Sequence, residues 1–149
     1  MGLNLIWSTI VWILIIGGIS FLFRKKIAKI VRIIPLPRFL LFLIVGTFFA
    51  IIEENINCPP EGCSLIPITI PIFFIFLLVL LIIIKIFKIK NFYLASLIFG
   101  VIGWTAEFLL GSHKEVLWSS PAVTIVMSIW TVLTYSVIVI IPLTIILKE

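Results

Sequence analysis

Residues 92–111 read FYLASLIFGVIGWTAEFLLG, and in those twenty residues Glu107 is the single charged side chain. A helix of that length at about 1.5 Å per residue reaches roughly 30 Å, the thickness of a bilayer's hydrocarbon core. The apolar run is continuous rather than alternating, so it reads as a spanning helix and not as a barrel strand. At about 100° per residue, Ser96, Gly100, Gly103, Glu107 and Gly111 fall within one narrow arc. Small residues in such an arc allow a neighbouring backbone to approach closely, and an acid among them is shielded from lipid. Span 92–111 is therefore expected to pack that face on another helix, with Glu107 turned into the bundle.

The rest of the chain repeats the pattern. Its 149 residues are 63% hydrophobic and 11% charged, with a mean hydropathy of +1.41, a composition foreign to water-soluble domains. The reading is an all-α integral membrane bundle of one domain, with five transmembrane helices over residues 3–23, 37–52, 66–87, 92–111 and 121–147. Pro35 precedes the second span and Pro37 opens it, and Pro67 and Pro71 fall in the first turns of the third, where a missing N–H does little harm. Pro142 lies inside the long fifth span, which is expected to kink mildly or tilt.

Charge gives the orientation. Arg24, Lys25, Lys26, Lys29 and Arg32 separate spans one and two, and Lys85, Lys88 and Lys90 separate spans three and four. Short loops rich in Lys and Arg stay on the cytoplasmic side, so the N-terminus is expected outside and the C-terminus inside, in the cytoplasmic membrane. Span one has no basic region before it and no Ala-x-Ala cleavage site after it, and reads as a retained helix. The net charge of +5 faces lipid headgroups, because no soluble stretch is long enough to present a nucleic-acid-binding surface. In segment 24–34, Ile27, Ile30, Val31 and Ile34 recur at the spacing of one helical face while the bases fill the other. The expectation is an amphipathic interfacial helix whose Arg24, Lys25, Lys26, Lys29 and Arg32 bind anionic headgroups at about 1 kcal/mol per base.

Cys58 and Cys63, the two cysteines of the chain, flank Pro59, Pro60, Glu61 and Gly62 on the expected outer side. An exported loop with that spacing favours a disulfide contributing roughly 2 kcal/mol. Two sulfurs and the lone His113 do not complete a tetrahedral metal set. No metal or other cofactor is expected, and no Gly-rich phosphate loop or serine nucleophile with a base occurs.

The acids that enter or end spans are Glu53, Glu54 and Glu107, all expected near the outer leaflet. On the fifth span Thr124, Ser128, Thr131 and Tyr135 form a polar stripe at helical spacing. Thr124 and Ser128 match Glu107 in depth and are the expected hydrogen-bond donors to it. Glu107 is the candidate acid or ion ligand, with Glu53, Glu54, Thr124, Ser128 and Tyr135 around it. Two functional classes fit. In one, the chain is a small non-catalytic subunit packed among other integral membrane subunits and lipids. In the other, it acts alone on a lipid, isoprenoid or ion through the acidic site, with Tyr135 assisting proton transfer.

Overall fold

The computed structural model describes residues 6–57, 66–111, 116 and 120–147, and among them there is no strand. Helix α1 runs Ile6–Val31, wound as π-helix over Thr9–Gly17. Then follow α2 (Arg38–Asn57), α3 (Ile66–Ile86) and α4 (Phe92–Thr105), the last continued by a π-helical turn, Ala106–Leu110. Helices α5 (Pro121–Ile138) and α6 (Ile140–Ile146) complete the chain. Four helices, α1, α2, α5 and α4 with its continuation, are long and apolar enough to cross a membrane, and the apolar stretch Ile70–Ile86 makes a shorter fifth. This architecture fits a multi-pass membrane protein.

Local chemistry starts the later helices. The Asn91 side chain accepts from the Leu94 N–H at 3.0 Å, and the Ser120 hydroxyl accepts from Val123 N–H at 3.4 Å with Pro121 in the first turn. Each satisfies one of the backbone donors that a helix start leaves without a partner.

Helices α4 and α5 pair antiparallel, α2 packs on α3, and α6 sits against α1 and α2. Trp12, Phe42, Leu77, Phe99 and Ile141 form the fully buried centre. Outside it, Leu14, Phe48, Ile75, Ile82, Leu97, Ile125 and Ile129 are exposed. A soluble protein would aggregate through such a belt, whereas a bilayer solvates it.

The structure revises three expectations. The fifth span does not run to Leu147: α5 ends at Ile138, Val139 leaves helical geometry (φ −98°, ψ 2°), and α6 restarts behind it. Pro142 accounts for the break, since its ring clashes with the carbonyl four residues earlier, that of Ile138. The second helix continues past Ile52 to Asn57, so Glu53 and Glu54 lie within its last turns instead of beyond its end.

Residues 24–31, finally, form no separate interfacial helix but prolong α1. Ile27 and Val31, half-buried, pack against the core, while Ile30 and Ile34 are exposed, so the supposed single face is divided. Two of the five expected headgroup-binding bases also make contacts within the chain. Arg24 lies 4.3 Å from the Phe21 ring and 5.0 Å from that of Phe92 and donates to the Phe21 carbonyl. Arg32 donates to the Thr144 and Ile145 carbonyls, closing the C-terminal end of α6, where helix carbonyls lack partners and a cation is favoured. Lys25, Lys26 and Lys29 remain exposed.

Candidate functional site

The charges of the bundle are segregated by its ends. Helix α1 runs parallel to α5, shown by Trp130 donating to Thr9 at 3.0 Å and Trp12 to the Thr134 carbonyl at 3.1 Å. It runs antiparallel to α2, because Ser8 meets Asn57 while the basic end of α1 leads into the start of α2. Every described Lys and Arg therefore lies at one end of the spans, and Glu53, Glu54 and Glu107 lie toward the other.

Glu107 sits in the π-helical turn that prolongs α4. Its Oε1 accepts a hydrogen bond from the Tyr135 hydroxyl at 2.8 Å. The contact depends on Gly103: a Cβ there would collide with the Tyr135 ring, so the missing side chain is the space the phenol occupies. The ring stacks on Phe73 of α3, centroids 5.5 Å apart and planes 17° from parallel, and tilts against Phe99 at 6.2 Å. Tyr135 is thus held from three sides with its hydroxyl directed one turn along α4, onto the acid.

Thr124 and Ser128 take other partners. The Thr124 hydroxyl donates to the carbonyls of Val116 and Ser120, and Ser128 accepts from the Trp104 indole at 2.9 Å. Depth alone suggested them as donors to Glu107, but a tyrosine is long enough to start two turns away and still reach the acid.

Glu53 is 5% exposed. Asn57, one turn on, donates to its Oε1, and Ser8 of α1 donates in turn to the Asn57 side-chain Oδ1. Sequence reasoning missed this chain, although Asn57 stands four residues from Glu53, the spacing of helical neighbours. Ser8 had no comparable signal, since its role exists only once α1 docks on α2. Glu53, Glu54 and Glu107 act electrostatically on one another, and all three act on Tyr135. Glu54 is half-buried beside them.

No protein-family model matches the chain, nor does any curated relative or solved structure. Its chemistry is read from its own residues.

Among the described residues no three His, Cys, Asp or Glu side chains gather closely enough to hold a metal ion together. Cys58 and Cys63, with His113, lie outside the described residues. The α4–α5 seam carries further polar clasps: Ser96 and Ser136 each donate to the other's backbone carbonyl, at 3.2 and 3.1 Å. A surface groove of about 340 Å³ opens beside that seam, lined by Val101, Trp104, Ser128, Ile129, Val132 and Leu133.

Proposed function

We propose that this chain is a multi-pass protein of the cytoplasmic membrane, N-terminus outside, that takes up a proton or small cation at the acidic end of its bundle. The observation that carries the reading is the aimed contact from Tyr135 to Glu107, with Glu53 and Glu54 acting on the same hydroxyl. Carboxyl groups in a membrane interior are costly, and where they occur they mark proton and ion pathways. The positions of the bases support the orientation.

The test is a comparison of Glu107→Gln and Glu107→Ala in reconstituted vesicles, following the carboxyl infrared band during a pH step. A wild-type band that responds, and loses intensity in both variants at unchanged folding, supports uptake at this site. A band indifferent to pH and cation alike in the wild type refutes it.

A second reading, a small non-catalytic subunit of a larger membrane assembly, is supported by the seam itself. Ser96, Ser136, Trp104 and Ser128 are engaged with one another across α4 and α5, the pattern of polar groups serving as helix glue. Gentle purification and the mass of the detergent complex decide it: co-purifying chains support the subunit, and a lone monomer removes it.

A further inference from the structure

Phe49, Glu53 and Asn57 recur every four residues, and so share one face of α2. The outer two of them meet α1. Trp12, fully buried, packs on Phe49 with ring centroids 6.4 Å apart, and Ser8, 2% exposed, donates to the Asn57 Oδ1. Glu53 lies between these two contacts, beneath the first turns of α1.

The Glu53 Oε1 accepts from the Asn57 amide, while its Oε2 has no hydrogen-bond partner among the described residues. No Lys, Arg or His among those residues pairs with it. The titratable groups that face it are Glu54 on its own helix, Glu107 in the turn that prolongs α4, and Tyr135 of α5. Helices α1 and α3 carry their bases at the opposite end of the bundle, and α6 has no titratable side chain. An ionised Glu53 would therefore be a charge buried without a countercharge beside two other acids. One hydrogen bond from an amide returns less than the burial of an unpaired ion costs. A neutral carboxyl keeps the bond from Asn57 at Oε1 and carries its proton on Oε2. To ionise, Glu53 needs water, and Asn57 and Ser8 close the way to it. Water reaches the carboxyl when the first turns of α1 part from α2.

We propose that Glu53 is a proton-binding site of its own, beside the Tyr135–Glu107 pair, and that the proton on it keeps the first turns of α1 seated on α2. The step is one transfer: hydronium from the aqueous phase at that end gives H⁺ to Oε2, leaving water and a neutral carboxyl. The inference rests on the reading of the acidic end as a place of proton uptake, and it adds a second group and the helix contact that group controls.

The experiment counts protons and measures one distance. Purified chain in nonionic detergent, weakly buffered at pH 7, is unfolded with SDS in the presence of a pH indicator. An unfolded glutamate is ionised at pH 7, so each carboxyl that is neutral in the fold releases a proton. Glu107→Gln is expected still to release about one proton through Glu53, and adding Glu53→Gln to lower the release by about one. Glu53→Met, apolar and of similar length, carries the same expectation and serves if the Gln variant does not fold. For the helix contact, spin labels are placed at Ile6→Cys and Asn55→Cys, both exposed positions, with Cys58 and Cys63 changed to Ser. As the pH is raised, the population with the longer distance is expected to grow by up to about tenfold per pH unit, and not to grow in Glu53→Gln, which cannot ionise.

A release from Glu107→Gln that neither Glu53 variant lowers, or no release from it, overturns Glu53 as a proton site. Release from the wild type alone then puts the proton on Glu107 and leaves the acidic-site reading standing. A label distance indifferent to pH, or one that lengthens equally in Glu53→Gln, overturns the control of α1. No release from the wild type, with an infrared band indifferent to pH and cation, removes this inference and the acidic-site reading together.

Discussion

Gly100→Ala tests the closeness of the α4–α5 seam more sharply than any change to a polar group. A Cβ on Gly100 would stand 2.6 Å from the Val132 backbone carbonyl oxygen, 2.7 Å from the Ser136 hydroxyl and 2.8 Å from a Val132 methyl. The nearest of these is backbone, which no rotamer change can move aside. Restoring an ordinary contact requires the helices to separate by about 0.8 Å. That motion carries the Ser96–Ser136 pair, now at 3.2 and 3.1 Å, past hydrogen-bonding range. Overpacking costs about 1–3 kcal/mol, and two interhelical bonds in a membrane add about 0.6 kcal/mol each. Alanine's better helix propensity offsets up to about 1 kcal/mol. Gly18→Ala isolates that last effect, because a Cβ there meets nothing within 4 Å. Equilibrium unfolding by SDS in mixed micelles should place Gly100→Ala about 2–4 kcal/mol below Gly18→Ala. Equal stability of the two variants would refute the tight seam, and with it the geometry that brings Tyr135 to Glu107.

Tyr135→Phe keeps the stacking on Phe73 and deletes the bond to Glu107, so a loss of about 1 kcal/mol is expected in the same unfolding assay. Arg32→Gln removes the cation that closes α6, costing about 1 kcal/mol, and hydrogen exchange should quicken at the amides of residues 144–147 while α5 is unaffected. Lys25, Lys26 and Lys29 changed together to Gln should reduce the preference for anionic over neutral lipid, read as lipid retained in native mass spectra, by about 1 kcal/mol per base. Impermeant thiol labelling after mild reduction should reach Cys58 from outside the cell, and Lys88→Cys, in a chain with Cys58 and Cys63 changed to Ser, should be reached only after permeabilisation; labelling of both sites from one side would refute the proposed topology.

Much of the site was legible because it depends on helical periodicity. Ser96, Gly100 and Gly103 share an arc at 100° per residue, and the structure sets that arc against α5. The stripe Thr124, Ser128, Thr131 and Tyr135 was visible for the same reason, but which of its members meets Glu107 was not. Periodicity assigns a face and a depth, and it is blind to reach. A phenol lying over a glycine spans a helical turn that a threonine hydroxyl cannot. The partners of the tryptophans are hidden in the same way: Trp12, Trp104 and Trp130 donate across helix pairs. A buried indole needs a carbonyl or hydroxyl for its N–H, and which one it finds depends on docking.

Sequence alone determined that this chain is helical and membrane-spanning, where its apolar runs begin, and that its acids and bases occupy opposite ends. Those properties follow from a bilayer in which each backbone donor and acceptor must be satisfied within its own segment, so they are written residue by residue. Only tertiary structure decided that α6 restarts after the break at Val139 and buries itself against α1 and α2, that Arg24 and Arg32 make contacts within the fold, and that Tyr135 claims Glu107. Each of these depends on how helices remote in sequence rotate and dock, as α4 docks on α5 through the space left at Gly100 and Gly103.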